Sequence, residues 1–235
     1  KTFKSYTKKK IKLKKSMNPM LYFLLALTAV IAATTNAGAP IRDTDGDTIE
    51  FDSYYYVLPV GKSQGGGLTL SGRDGRRCPL DVVQTSSKRD KGLPVKFSSL
   101  RSRAGVVTES EDLQIVVDVR DRTCARSTYW WIKESEESWE DWTVTVGPNP
   151  NESRKQDSSK SVFQIHAFRY NYYFLAYCPS YDDEGNSKVT SDRCRYLGIL
   201  EDEDGVRRLT LDAQPFMVRF DRTDGRERSS KAMSV

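Results

Sequence analysis

The side chains that could carry out chemistry are few. The 235-residue chain contains one His, His166, and four Cys separated by long gaps. One imidazole cannot build a multi-His metal site, and cysteines without a C-x-x-C spacing do not indicate zinc. Gly65-Gly66-Gly67 lacks the Gly-Lys-Ser/Thr that completes a phosphate-binding loop. The sequence therefore predicts no enzyme activity, no metal and no cofactor.

An acidic cluster near the start of the predicted fold suggests calcium at first sight. Asp43, Asp45 and Asp47 surround Gly46. An EF-hand loop needs Gly at its sixth position and Glu at its twelfth, whereas Gly46 is fourth counted from Asp43. We therefore expect a tight turn, in which Gly supplies a positive φ at little cost.

Basic residues are concentrated at the N-terminus. Residues 1–16 contain eight Lys and no acidic residue, so leaving them out changes the formal charge from +5 to −3. A mildly acidic body gives no support to nucleic-acid binding. We expect residues 1–16 to be leader or sequence upstream of a true start at Met17.

An apolar segment follows Met17. It runs from Met20 to Ala33, which is shorter than the roughly 20 residues that span a bilayer and typical of a secretory signal. Thr35 and Ala37 fit the small-x-small cleavage rule. Residues 17–37 are therefore predicted to be a signal peptide and residues 38–235 a single mature domain; the alternative is an N-terminal membrane anchor. We expect a monomer in the extracellular space or the vacuole, with no membrane contact.

Secretion changes the interpretation of the cysteines. Cys78, Cys124, Cys178 and Cys194 form an even set, which in an oxidising compartment favours two disulfides. The sequence alone allows three pairings. Asn151, in the sequon Asn-Glu-Ser within a polar stretch, is a candidate glycosylation site.

Short strand-like segments recur through the mature chain. Leu113, Ile115, Val117 and Val119 alternate with Gln114, Val116 and Asp118, which is the period-2 pattern of a half-buried strand. Turn residues separate the segments, which predicts an all-β sandwich or barrel. The predicted strands are 54–58, 68–70, 80–84, 95–97, 113–119, 129–132, 143–146, 162–167, 172–178, 196–200, 208–211 and 216–221.

One motif resembles a known family. The segment Ile41-Arg42-Asp43-Thr44-Asp45-Gly46-Asp47-Thr48-Ile49, followed by Tyr55 and Val57, fits the signature of the plant Kunitz inhibitors of the soybean trypsin inhibitor type. Residues 65–68, 77–80, 177–179 and 204–209 resemble further segments of that family, several of them in its miraculin-like branch. The resemblance covers essentially the whole mature chain.

The resemblance implies a fold and a disulfide pairing. The expected fold is a β-trefoil with twelve short strands in three pseudo-repeats around a six-stranded barrel. The expected disulfides are Cys78–Cys124 and Cys178–Cys194.

The resemblance also implies a reactive loop between the first Cys and the next long strand. The matching residues are Leu100, Arg101, Ser102, Arg103 and Ala104. Counting from Cys78 without gaps assigns the primary specificity position to Ser102, and a shift of one residue assigns it to Arg101 or Arg103. An Arg there suits the acidic S1 pocket of a trypsin-like protease. The expected function is a secreted serine protease inhibitor whose substrate-like loop blocks the active site.

Two departures from the family pattern leave an alternative open. Phe51 occupies the position where strong inhibitors hold an Asn that braces the loop, and Phe cannot make amide hydrogen bonds. Leu100 replaces the usual Pro ahead of the scissile bond. The alternative function is a non-inhibitory, miraculin-like defence, storage or binding protein on the same scaffold.

Overall fold

The structure is a computed structural model. It describes residues 38–61, 65–73, 78–100, 105–119, 127–135, 142–151, 157–179, 194–211 and 214–223. The chain divides into two compact units, residues 1–37 and residues 38–235. The first unit, with the predicted leader and signal peptide, lies outside the described residues. Within the described ranges, no helix has the length and apolar composition needed to cross a membrane.

The described residues form an all-β fold of twelve strands, with a 3-10 helix at Ser158–Ser161. All twelve predicted strands are confirmed, with bounds within two residues of those expected. The strands are β1 (Tyr54–Pro59), β2 (Leu68–Gly72), β3 (Leu80–Gln84), β4 (Val95–Ser99), β5 (Leu113–Val117), β6 (Tyr129–Lys133), β7 (Thr143–Gly147), β8 (Phe163–Arg169), β9 (Tyr172–Tyr177), β10 (Arg195–Glu201), β11 (Arg207–Leu211) and β12 (Met217–Arg222).

Six of the strands close into a barrel. Strand β1 pairs with β4 and β12, β5 pairs with β4 and β8, and β9 pairs with β8 and β12, antiparallel in every case. A closed ring leaves no unpaired sheet edge, which protects the strands from pairing with other chains.

The other six strands form three hairpins, β2–β3, β6–β7 and β10–β11. Strands β3, β7 and β11 also pair with one another, so the three hairpins meet in a cap. A six-stranded barrel capped by three hairpins is the arrangement of a β-trefoil.

The barrel interior is filled by the alternate side chains of its strands. In β5, Leu113, Ile115 and Val117 are all buried, as the period-2 pattern predicts. Aromatic rings fill the centre and meet edge to face, as quadrupolar rings prefer. Phe97 packs against Phe220 with ring centroids 5.4 Å apart, and Trp130 packs against Phe163 at 5.8 Å.

Strand direction separates the two ends of the barrel. Strands β1, β5 and β9 each run into a cap hairpin, and β4, β8 and β12 each return from one. The connections β4–β5 and β8–β9, together with the start of the domain before β1, therefore lie at the end opposite the cap. The described flanks of the predicted reactive loop, Leu100 and Gly105, belong to the β4–β5 connection at this open end.

The predicted disulfide Cys178–Cys194 is present and joins the residue after β9 to the residue before β10. Cys78 is also disulfide-bonded. Its predicted partner, Cys124, lies outside the described residues.

Candidate functional site

The predicted reactive loop is described only at its two flanks. Leu100 follows β4 directly and is 41% exposed. Gly105 is also exposed, with φ +127° and open space where a Cβ would lie. Arg101, Ser102, Arg103 and Ala104 lie outside the described residues. Both flanks thus lie at the protein surface.

The chain after the loop is fastened to the first segment of the domain. The Val107 N–H donates to the Ile49 carbonyl at 2.8 Å, and the Ile41 N–H donates to the Val107 carbonyl at 2.9 Å. All three side chains are buried in the core. The residues just beyond Gly105 are therefore fixed by both backbone pairing and packing.

The family signature forms the turn that holds this segment. Asp43 is 1% exposed, and its Oδ1 accepts hydrogen bonds from the N–H groups of Asp45 at 3.0 Å and Asp47 at 2.9 Å. Gly46 has φ +90°. The predicted tight turn is confirmed, and the buried carboxylate satisfies two backbone donors that the turn leaves without strand partners.

Two tyrosines of the barrel strands also form hydrogen bonds with the backbone of this first segment. The Tyr173 hydroxyl accepts from the Arg42 N–H at 2.8 Å, and the Tyr55 hydroxyl accepts from the Glu50 N–H at 3.0 Å. Burial raises the pKa of Tyr173, with Glu109 and Asp43 adding to the rise, and the bond from Arg42 opposes it. The hydroxyl thus stays neutral at physiological pH and can serve as an acceptor.

Phe51 contacts a flank of the predicted loop through its backbone and not through its side chain. Its N–H donates to the Gly105 carbonyl at 3.3 Å, while its partly buried ring packs against the core. The expectation that this side chain cannot brace the loop by hydrogen bonding agrees with its inward packing. A backbone contact nevertheless joins position 51 to the loop flank.

Glu111 is a residue that the sequence argument missed. Its Oε1 accepts from the Ser99 hydroxyl at 2.8 Å, and its Oε2 accepts from the Thr108 hydroxyl at 3.0 Å and the Thr108 N–H at 3.3 Å. The Thr-x-x-Glu spacing was the available signal, since it is the spacing of a capping box. The contact with Ser99 had no such signal in the sequence, because the two residues are 12 positions apart.

The remaining predicted site residues lie elsewhere. Asn151 is exposed, and its N–H donates to the Asn149 side chain at 3.1 Å; Ser153 of its sequon lies outside the described residues. His166 lies near Cys178 and Cys194, but the disulfide between those two cysteines leaves no thiolate for a metal. A cavity of about 560 Å³ opens between the cap hairpins and is lined mainly by charged residues such as Arg73, Asp202 and Arg208.

Comparison with known proteins establishes the family. The Kunitz legume model, described as trypsin and protease inhibitor, matches residues 41–222. The chain belongs to the Kunitz family of trypsin and protease inhibitors. The match begins at Ile41, the first residue of the signature turn, and ends at the last residue of β12.

Individual relatives cover most of this Kunitz chain. It is 46% identical over 219 residues to Kunitz trypsin inhibitor 4 of Arabidopsis thaliana, covering 93% of this chain and 98% of that protein. It is 32% identical over 217 residues to miraculin of Synsepalum dulcificum, covering 86% and 94%. A solved complex of porcine pancreatic trypsin with soybean trypsin inhibitor matches with TM-score 0.62 and 26% identity, covering 79% and 99%.

Proteins of the Kunitz family are inhibitors, so the prediction that the chain is not an enzyme is confirmed. The trypsin complex and the trypsin inhibitors among the relatives support serine protease inhibition as the general activity.

Proposed function

We propose that the protein inhibits a serine protease by inserting residues 100–104 into the active site as a substrate-like loop. The observation that carries the proposal is that both flanks of the loop are exposed while the residues next to them are held in place. Leu100 and Gly105 are exposed, whereas Ser99 and Val107 beside them are hydrogen-bonded into the barrel and its first segment. Both ends of the loop are thereby anchored at the open end of the trefoil.

Anchored ends favour inhibition for a thermodynamic reason. A loop held near its bound conformation loses less conformational entropy when it binds. Arg101 or Arg103 would then enter an acidic S1 pocket, where the guanidinium pairs with a carboxylate. Protease–inhibitor contacts bury about 1,600 Å² in total.

The test is a titration of bovine trypsin with the refolded, disulfide-intact protein and an Arg101→Ala/Arg103→Ala double variant. We expect near-stoichiometric inhibition by the wild type and its loss in the double variant. Arg89→Ala is the matched control, because Arg89 is an exposed Arg in a turn remote in sequence from the loop. Failure of the folded wild type to inhibit trypsin would refute trypsin as the target.

One observation favours a second candidate, a non-inhibitory defence, storage or binding protein. The Phe51 side chain packs inward where strong inhibitors hold a bracing Asn. A 21 kDa seed protein of Theobroma cacao, 34% identical over 207 residues, is also among the relatives. Absence of inhibition across trypsin, chymotrypsin and subtilisin, with an intact fold, would favour this function.

We further infer that the protein enters the secretory route through residues 17–37 and acts as a monomer, extracellular or vacuolar, without binding nucleic acid or membrane. The apolar segment and its cleavage pattern support entry into the secretory route. The closed barrel supports a monomer, because each of its six strands is paired on both sides. N-terminal sequencing of the secreted protein should give Gly38; a mature chain that retains Lys4 or Lys8 would contradict the inference.

We infer three pseudo-repeats, β1–β4, β5–β8 and β9–β12, because each supplies two barrel strands and one cap hairpin. We infer that Cys78 pairs with Cys124. Peptide mapping by mass spectrometry without reduction should recover the linked pair.

A further inference from the structure

Glu111 contacts the chain on both sides of the proposed reactive loop. Ser99 is the last residue of β4 and precedes the loop, whereas Thr108 follows it. One carboxylate oxygen accepts from Ser99 at 2.8 Å, and the other accepts from Thr108 at 3.0 and 3.3 Å. A single side chain therefore joins the two flanks.

Glu111 is itself held by the barrel. Its N–H donates to the Thr108 carbonyl at 3.4 Å, and the preceding N–H, of Ser110, donates to the Ile165 carbonyl in β8 at 3.0 Å. The following residue, Asp112, accepts from the Gln164 amide at 2.8 Å. Two contacts to β8 thus fix the backbone on either side of the carboxylate.

The carboxylate is well suited to this position. Glu111 is only partly exposed, and a carboxylate can accept several hydrogen bonds at once. Bonds to a charged acceptor are stronger than neutral ones. The Phe51 ring, by contrast, packs into the core and offers the loop no side-chain bond.

We propose that Glu111 is a positioning residue that joins the two flanks of the proposed reactive loop through Ser99 and Thr108, a link that the side chain of residue 51 does not supply. This proposal rests on the proposed inhibitory function. When a protease cuts the loop, water adds across one peptide C–N bond and leaves a carboxylate and an ammonium terminus. Because Glu111 holds both flanks, the new ends stay adjacent, and the reverse step can expel that water and re-form the bond.

The test compares Glu111→Ala, Glu111→Gln and wild type. Trypsin cleavage after Arg101 or Arg103 is followed by mass spectrometry of reduced samples, and inhibition is measured in parallel, both well below the unfolding temperature. We expect Glu111→Ala to be cleaved about ten- to hundred-fold faster and to inhibit correspondingly more weakly. Glu111→Gln, which keeps a carbonyl acceptor and gains an amide donor, should stay within about three-fold of wild type.

Glu109→Ala is the matched control. Its carboxylate lies two residues away but accepts from the Ala167 N–H in β8 and so does not join the loop flanks. We expect its cleavage rate to match that of the wild type. Ser99→Ala, which removes the hydrogen bond to Glu111 on the β4 side, should be cleaved a few-fold faster, and it provides the same test should Glu111→Ala fail to fold.

Equal cleavage rates for wild type, Glu111→Ala and Ser99→Ala would overturn the proposal. Faster cleavage of Glu109→Ala to the same degree as Glu111→Ala would also overturn it, because the effect would then be a general loss of stability. The proposed function fails separately, when the wild type inhibits no serine protease. The cleavage comparison still tests Glu111 in that case, since trypsin cuts after Arg whether or not it is inhibited.

Discussion

Replacing Asp81 should separate the stability of the trefoil from its inhibitory activity. Asp81 lies in β3 with a fully buried side chain, and its Oδ2 accepts from Arg73 Nε at 2.9 Å and from Arg208 Nη1 at 2.8 Å. Strands β2, β3 and β11 meet in the cap hairpins, at the end of the barrel opposite the loop. We predict that Asp81→Ala destabilises the fold and leaves the inhibition constant unchanged.

The magnitude follows from the burial of the two partners. Removing one member of a buried ion pair costs roughly 3–5 kcal/mol, because the remaining charge stays buried. The lower limit applies here: Arg73 is 32% exposed, and Arg208, although only 8% exposed, keeps a bond to Asp202 at 2.6 Å. We therefore expect a loss of about 3 kcal/mol in the free energy of unfolding, which lowers Tm by about 6–12 °C in a domain of this size.

The assay is urea unfolding monitored by Trp fluorescence, with a trypsin titration at 25 °C. Glu201→Ala is the matched control. Glu201 pairs with Arg207 in the same β10–β11 hairpin, but its side chain is 55% exposed, so we expect a loss of at most about 0.5 kcal/mol. A loss of less than about 1 kcal/mol for Asp81→Ala would refute the argument, as would a weakened inhibition constant in a variant that remains folded.

Three further predictions concern other parts of the molecule. Gly67→Ala should lower the free energy of unfolding by more than about 2 kcal/mol, because the new Cβ would lie 1.9 Å from the Lys91 carbonyl oxygen. Gly61→Ala, at a position with φ +85° and open space for a Cβ, should lower it by only about 1 kcal/mol. Urea unfolding of both variants measures the difference. Asn151, exposed in its turn, should carry a glycan in protein from a secreting eukaryotic host, and peptide-N-glycosidase should shift the mass of the wild type and not of Asn151→Gln. The pKa of His166 should be below 6.5, because burial lowers it more than Glu109 raises it. The neutral ring therefore contributes stability that is present above the pKa of His166 in the unfolded chain and is lost as the pH falls through its pKa in the folded protein. NMR titration of this single His measures the shift, and a folded-state pKa at or above 6.5 would contradict it.

The strands could be predicted from local patterns because each one has a face that must be buried. The alternation of Leu113, Ile115 and Val117 locates β5 without any knowledge of its partners. The pairing could not be predicted in that way. Whether β1 meets β12, as it does, depends on contacts between segments far apart in sequence, about which local patterns carry no information.

Local patterns also misjudge the polar residues of the cap. In β3, Asp81 alternates with apolar neighbours, and a half-buried strand would turn it toward solvent. Its side chain is instead fully buried, because both faces of β3 are covered: the four consecutive residues 81–84 are all buried. Arg73 and Arg208 form the ion pairs that compensate for burying the Asp81 carboxylate. Neither residue has a recognisable spacing from residue 81.

In the site, too, contacts between residues close in sequence could be predicted, whereas contacts between distant residues could not. The turn at Asp43 and Gly46 was predictable, since its hydrogen bonds join residues two and four apart. The role we assign to Glu111 was not, because it requires Ser99 to lie close to Glu111, and the β4–β5 register, with Ser99 opposite Leu113, brings them together. The family resemblance predicts the loop, whereas the contacts of Glu111 with Ser99 and Thr108 can be found only in three dimensions. Phe51 is partly buried, with its ring packed against the core, so the proposal predicts that the strength of inhibition depends on the carboxylate of Glu111, which joins the two flanks of the loop.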